Sequence, residues 1–149
     1  MIDLALQIAT KAHKGQKDLD GHPVILHPLT VGLKGKTEDE IVCGFLHDVV
    51  EDTEYTFDDL LEAGIPERIV ETLSLLTHEK GTPYMDYIKR ICESNNKTAI
   101  AVKLNDLEHN LFRGKRSGLE RLVKKHTEAK AYIEDYLKET APSNGKTIF

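Results

Sequence analysis

The segment FLHDVVEDTEYT, residues 45–56, places four ionisable side chains in an apolar stretch: His47, Asp48, Glu51 and Asp52. On a helix His47 would lie over Glu51 and Asp48 over Asp52, because residues four apart share one face. Charged groups among apolar residues need compensation, which a divalent cation can supply. An imidazole with carboxylates suits Mn²⁺, Fe²⁺, Zn²⁺ or Ni²⁺ better than Ca²⁺. A solvated helix end with acidic capping residues is the alternative interpretation.

Two further segments place polar residues in apolar surroundings. His27 lies in ILHP, at the start of a predicted helix, where a single histidine more often packs or caps than binds a metal. Asp106 lies in VKLNDLEHN, on a predicted helix whose opposite side is apolar. Offsets of three and four residues place Lys103, Asp106 and Asn110 on one helical face. Each signal is weak alone, and the three segments together are specific.

The order of His27, His47-Asp48 and Asp106 resembles the H…HD…D signature of the HD metal-dependent phosphohydrolase superfamily. Within it, the chain resembles the (p)ppGpp hydrolase domain of RelA/SpoT-type proteins and the small stand-alone alarmone hydrolases. Four segments carry this resemblance in the family's order: AHKGQ (12–16), GHPVILHP (21–28), CGFLHDVVEDT (43–53) and VKLNDLEHN (102–110).

The resemblance implies a bundle of helices around one Mn²⁺ or another divalent transition metal. Its metal ligands would be His27, His47, Asp48 and Asp106. Glu51 and Asp52 would orient and deprotonate the attacking water. The residues implied to bind the substrate are Lys17, Lys103 and Asn110. For Lys103, a solvated surface position is an equally weighted alternative.

The implied activity is that of a nucleotide phosphohydrolase, and the favoured reaction converts (p)ppGpp to GDP or GTP and pyrophosphate. The chain departs from the family at Asp18, which stands where an arginine usually packs against the base. It also has Val24 for a tyrosine, and Leu107-Glu108 for the Arg-Leu of DRLHN. An acidic side chain cannot stack on a base or bind phosphate as a guanidinium does.

Two alternatives follow from these departures. One is the same machinery acting on another phosphorylated nucleotide. The other is a nucleotide-binding regulatory module without turnover. The second is less favoured, because every implied ligand and both carboxylates are present.

Apolar residues recur at helical spacing in the segments that must position these residues. This periodicity predicts an all-α domain at 1–138, and residues 139–149 are predicted to form a loosely held tail. Thr37 and Glu40 predict a capping box that opens one continuous helix through EIVCGFLHDVV, and Thr56 with Asp59 predicts the start of another helix. The stretch GQKDLDGHPVI is predicted to be a loop or an irregular ribbon. A last long helix is predicted from about Gly118.

Three of the five histidines outside the implied ligand set lie on or near predicted helices. His109 is predicted to pack or to support the site, whereas His78 and His126 are predicted to be solvated residues at helix ends.

The composition limits the partners of the chain. A net charge of −5 without a basic cluster argues against nucleic acid, so the expected partner is a small-molecule nucleotide. The absence of a long apolar run argues against a membrane span or a signal peptide and predicts a cytoplasmic protein. Tyrosines at near-helical spacing leave a homo-oligomer possible: Tyr84, Tyr87, Tyr132 and Tyr136.

Overall fold

The computed structural model describes residues 1–141, which are mostly helical. The helices in this range are α1 (Ile2–Ala12), α2 (Leu26–Leu33), α3 (Glu38–Leu46), α4 (Val49–Asp52), α5 (Phe57–Ala63), α6 (Glu67–Leu75), α7 (Tyr84–Glu93), α8 (Lys97–Arg116) and α9 (Glu120–Thr140). Lys17 and Pro23 form an isolated antiparallel β-bridge in the predicted irregular ribbon, and no strand occurs in the described range. The predicted all-α fold is therefore confirmed.

The predicted tail at 139–149 falls largely outside the described residues. Its first two residues, Glu139 and Thr140, form the last turn of α9. None of the helices described is both long and apolar enough to cross a membrane.

Local side-chain caps explain where α3 and α5 begin. Thr37 Oγ1 accepts a hydrogen bond of 3.1 Å from the backbone N–H of Glu40. Thr56 and Asp59 form a complete capping box, with reciprocal bonds of 3.1 and 2.8 Å. These contacts satisfy N–H groups that have no partner inside the helix. Both helix starts are found where the sequence predicts them.

The predicted continuous helix through EIVCGFLHDVV is wrong, because the chain leaves regular geometry at His47 and Asp48. Helix α3 ends at Leu46 and α4 begins at Val49, and Asp48 adopts φ −101° and ψ −2°. Consecutive side chains on a regular helix diverge by about 100°. The break allows both side chains to face one point, with His47 Nε2 3.3 Å from Asp48 Oδ2.

Helix α3 lies at the centre of the bundle and packs against α1, α2, α6 and α8, while α9 covers another side of α8. Its core-facing residues are fully or almost fully buried: Val42, Cys43, Phe45 and Leu46. Burying such side chains is the main driving force that holds the helices together. Helices α2, α3 and α8 therefore bring the three predicted ligand segments to one place.

Two glycines set the close approach of α2 to α3. A Cβ atom on Gly44 would lie 2.6 Å from the Cα of Gly32, and a Cβ on Gly32 would collide with the ring of Phe45. The backbones can pack this closely because neither residue carries a side chain.

We expect Gly44→Ala to lower the free energy of unfolding by about 1–3 kcal/mol, because the added methyl group meets backbone atoms that cannot move aside. The added methyl group should also push α2 and α3 apart. Metal binding should then weaken, because His27 moves away from His47. Urea unfolding and calorimetry with Mn²⁺ measure the two effects. Gly114→Ala is the control, because its Cβ would meet chiefly the side chain of Val123, which can shift. Equal effects of both substitutions would contradict the role of the close approach.

Candidate metal centre

Four side chains from the three predicted segments converge on one point. His27 Nε2 lies 2.8 Å from Asp106 Oδ1, 3.2 Å from His47 Nε2 and 3.6 Å from Asp48 Oδ2. His47 Nε2 lies 3.3 Å from Asp48 Oδ2 and 3.3 Å from Asp106 Oδ1. Metal–ligand bonds of about 2.0–2.2 Å place neighbouring donor atoms about 3.0–3.6 Å apart. This cluster of two imidazoles and two carboxylates is therefore suited to a divalent metal ion.

The tautomer of His47 is set by a backbone contact. Its Nδ1 lies 2.6 Å from the carbonyl oxygen of Gly44, which only accepts, so Nδ1 carries a proton and donates it. Nε2 therefore faces the carboxylates. Burial acts to lower the pKa of His47, but the charges of Asp48 and Asp106 outweigh it and raise the pKa to about 9. The cluster thus favours positive charge at this nitrogen.

His27 is held in place by His109. Their Nδ1 atoms lie 2.7 Å apart, and the two rings stack with centroids 5.0 Å apart. Burial is the main cause that lowers the pKa of His109 to about 4, so this ring is neutral near pH 7. It can therefore accept a hydrogen bond from the Nδ1–H of His27, which leaves Nε2 of His27 directed at the carboxylates. His109 thus packs against His27, which is one of the two roles predicted for it.

Asp106 is bound from two further sides. Its Oδ2 accepts a 2.9 Å hydrogen bond from Lys103 Nζ, and its Oδ1 accepts a 3.1 Å bond from Asn110 Nδ2. Burial acts to raise the pKa of Asp106, but the charges of Lys103 and His47 hold it well below its usual range. Asp106 therefore stays ionised in the interior.

Lys103 is buried, so the alternative of a solvated surface lysine is wrong. Its side chain is 10% exposed, and Nζ lies 5.1 Å from the ring centroid of Tyr87 and 5.6 Å from that of Tyr84. Burial acts to lower the pKa of Lys103, but Asp106 and the two tyrosines raise it well above its usual value. The side chain therefore carries its charge inside the protein.

The cluster lies in the wall of a cavity of about 210 Å³, which we call the polar cavity. Besides the four clustered residues, its wall contains Glu51, Asn110 and the basic side chains of Lys103, Arg113 and Lys125. A cavity that combines this cluster with three basic side chains can bind an anionic ligand such as a phosphate ester.

The two predicted catalytic carboxylates occupy different surroundings. Glu51 lines the polar cavity, and its Oε1 accepts a 2.7 Å hydrogen bond from the backbone N–H of His78. Asp52 borders a neighbouring surface depression, although its carboxylate lies within 4.8 Å of those of Asp48 and Glu51. Partial burial, followed by the charges of Asp48 and Glu51, raises the pKa of Asp52 to about 6. Glu51 is therefore the better placed of the two to contact a ligand in the cavity.

Lys17 lines a second cavity of about 350 Å³ and is not among the residues that line the polar cavity. This second cavity is mainly apolar, and we call it the apolar cavity. The residues of its wall that have no polar side chain are Leu19, Gly114, Leu119 and Leu122. Asp18, at the position that departs from the family, lies in the same wall.

The prediction of solvated helix-end positions for His78 and His126 is wrong. The ring of His78 stacks on Tyr87 at 4.8 Å, and its Nε2 donates a 2.6 Å hydrogen bond to the carbonyl of Thr82. His126 is half-buried and lines both cavities. Tertiary packing covers both imidazoles, which the local sequence does not reveal.

Sequence reasoning also missed Arg113, which lines both cavities. The available signal is its position three residues after Asn110, which places both side chains on one helical face.

Known proteins resemble this chain in sequence. No protein-family model matches it. A putative chloroplastic GTP diphosphokinase of Arabidopsis thaliana is 35% identical over 111 residues, which cover 71% of this chain and 12% of that protein. The guanosine-3′,5′-bis(diphosphate) 3′-pyrophosphohydrolase of Aquifex aeolicus is 35% identical over 80 residues, which cover 51% of this chain and 11% of that protein. The chain thus spans about a tenth of the length of these curated relatives.

A solved structure has a similar fold. It is a metazoan ortholog of SpoT that hydrolyses ppGpp, and it matches with a TM-score of 0.64 at 21% identity. The match covers 94% of this chain and 95% of that one. The resemblance to RelA/SpoT-type proteins that the motifs predict is confirmed, and so is the helical fold.

Proposed function

We propose that this chain is a metal-dependent phosphohydrolase that removes the 3′-pyrophosphate of (p)ppGpp, giving GDP or GTP and pyrophosphate. The observation that carries the proposal is the convergence of His27, His47, Asp48 and Asp106 within 3.6 Å contacts, with Glu51 in the same cavity. The name of the Aquifex relative and the reported activity of the metazoan ortholog support hydrolysis of ppGpp. Other relatives are named GTP pyrophosphokinases, and we favour hydrolysis because the cavity combines a cation-binding cluster with a carboxylate.

The four clustered side chains would hold one divalent ion, and Mn²⁺ is our first candidate. Such an ion supplies Lewis-acid polarisation of a phosphoryl oxygen and lowers the pKa of water. Lys103 keeps Asp106 ionised for this task, and His109 fixes the orientation of His27. These two supporting residues keep the cluster ready to bind the ion.

The remaining residues act on water and on the phosphate groups. Glu51, fixed by the N–H of His78, would take a proton from the attacking water, and Asp52 would assist through its proximity to Glu51. Lys103 uses one of its three N–H donors on Asp106 and can direct others at phosphate. Asn110 would contact the nucleotide at the rim of the same cavity, and Lys17 would do so from the apolar cavity.

A second candidate is hydrolysis of a different phosphorylated nucleotide by the same groups. The observation that favours it is the position of Asp18, whose carboxylate lies in the wall of the apolar cavity beside Lys17 and Leu19. A carboxylate there changes which base or sugar can bind, because it accepts hydrogen bonds and repels phosphate.

We expect the purified protein with Mn²⁺ to hydrolyse ppGpp in preference to nucleoside triphosphates and NADPH. Released phosphate and pyrophosphate are measured for each compound, and parallel reactions with a chelator show whether turnover needs the metal. Turnover of another nucleotide alone would favour the second candidate. Nucleotide binding without turnover, by protein shown to contain metal, would contradict hydrolysis and favour a regulatory module.

A further inference from the structure

The polar and apolar cavities share a wall built by Asn110, Arg113 and His126, which we call the junction. One cavity contains the cluster of His27, His47, Asp48 and Asp106, and the wall of the other combines Leu19, Leu119 and Leu122 with polar and charged side chains. A ligand that places an anionic group at the cluster and a planar ring in the apolar cavity must pass the junction. The junction side chains are therefore placed to distinguish such a ligand from a small anion.

Arg113 is held at the junction by two contacts. Its Nη2 donates a 2.6 Å hydrogen bond to Asn110 Oδ1, and its Nη1 lies 4.0 Å from Asp18 Oδ2. Asp18 is itself fixed, because its Oδ1 accepts 2.9 Å hydrogen bonds from the backbone N–H groups of Asp20 and His22. A guanidinium has five N–H donors. The contacts with Asn110 and Asp18 leave several of them free for a ligand.

His126 provides a second, independent observation at the junction. Its Nδ1 is buried and has no hydrogen-bond partner within residues 1–141. Buried polar atoms are nearly always hydrogen-bonded in folded proteins. His126 therefore brings an incompletely paired imidazole to the wall that the two cavities share.

We propose that Arg113 is a specificity-determining residue. Its guanidinium would bind a phosphate group of the nucleotide at the junction, so that the base of the nucleotide lies in the apolar cavity. In this arrangement Asp18 is a positioning residue for the guanidinium. The inference rests on the proposed function, since it assigns the part of the substrate that lies away from the cluster. The inference also assigns a role to Asp18, the acidic residue at which the chain departs from the family, because Asp18 acts on the substrate through Arg113.

We expect Arg113→Gln to raise the KM for the hydrolysed nucleotide by about 10- to 100-fold, the loss typical of a charge-assisted hydrogen bond. The kcat should change by less than about 2-fold, because a contact made equally in ground and transition states affects KM alone. Arg113→Lys should lie in between, since it keeps the charge without the planar donors.

Arg116→Gln is the matched control for this variant. Arg116 is on the same helix and pairs with Asp20 at 3.5 Å, but it is not among the residues that line either cavity. Its substitution should leave KM unchanged. Equal KM values for Arg113→Gln and Arg116→Gln would overturn the inference while leaving hydrolysis intact.

Asp18→Asn tests the positioning role. Asparagine keeps an oxygen for the N–H groups of Asp20 and His22 but removes the charge beside Arg113. We expect Asp18→Asn to raise KM by less than Arg113→Gln does. In the Arg113→Gln background, Asp18→Asn should have no further effect on KM, because the two residues act as one unit. Asp39→Asn, which removes the partner of Arg68 away from both cavities, should leave KM unchanged. Additive effects of Asp18→Asn and Arg113→Gln would overturn the positioning role.

Binding measurements separate this inference from the proposed function. Calorimetry with GDP and ppGpp on metal-free protein gives a Kd that does not depend on turnover. If the unaltered protein binds nucleotide without hydrolysing any, the proposed function fails, and a 10-fold weaker Kd in Arg113→Gln still supports the inference. If the unaltered protein neither binds nor hydrolyses a nucleotide, both are overturned.

Discussion

Replacing Asp106 with asparagine will abolish metal binding and nucleotide hydrolysis together. Asp106 Oδ1 lies 2.8 Å from His27 Nε2 and 3.3 Å from His47 Nε2, so it belongs to the group of atoms that would surround the ion. A neutral amide oxygen is a weaker ligand than a carboxylate. We expect the affinity for Mn²⁺ to fall by more than about 100-fold, which exceeds the 10- to 100-fold loss typical of a residue that only supports a ligand. Calorimetry and metal content measure this loss.

The same substitution will also destabilise the fold, since it leaves the ammonium of Lys103 buried without its counter-charge. Breaking a buried pair in this way costs about 3–5 kcal/mol. The double variant Lys103→Met/Asp106→Asn removes both charges and should recover most of the stability in urea unfolding, but no metal binding. Glu108→Gln, an exposed change on the same helix, is the control. A folded double variant with unchanged affinity for Mn²⁺ would refute the role of Asp106 as a ligand.

Contacts between residues that are far apart in the sequence can be predicted when a known motif contains those residues. His27 and Asp106 are 79 residues apart, and no periodicity places them together. Their contact is predicted by the resemblance of the H…HD…D order to a known family. The starts of α3 and α5 are predicted for a different reason, because capping contacts join residues three apart and depend only on local sequence.

Residues whose environment depends on helix packing are the ones that sequence reasoning misplaces. His126 is predicted to be solvated, and a solvated position is one of the two alternatives for Lys103. Helices α8 and α9 instead pack so that both side chains line the polar cavity. The break at His47 and Asp48 is missed because apolar spacing predicts a regular helix there, whereas the convergence of the two side chains accompanies an irregular backbone. Functional sites are where local rules most often fail in this way.

Glu51→Gln will slow hydrolysis by about 100- to 10,000-fold, the range expected for the loss of a general base. Glutamine has nearly the same shape and can still accept the hydrogen bond from His78 N–H, but its amide cannot take a proton from water. Glu51 is not one of the four clustered residues, so the affinity for Mn²⁺ should stay within a small factor of that of the unaltered protein. Single-turnover kinetics and calorimetry measure the two quantities.

The comparison with Asp52→Asn decides which carboxylate takes the proton. Glu51 lines the polar cavity, whereas Asp52 borders the adjacent depression, so we expect the smaller loss of rate for Asp52→Asn. Glu54→Gln is the control, because Glu54 is exposed and borders that depression too. If Asp52→Asn is the slower variant, the base is Asp52, and its pKa of about 6 in the metal-free protein would make it largely ionised at neutral pH. If both variants keep the full rate, neither carboxylate is the base, and proton removal must be assigned to another group in the polar cavity.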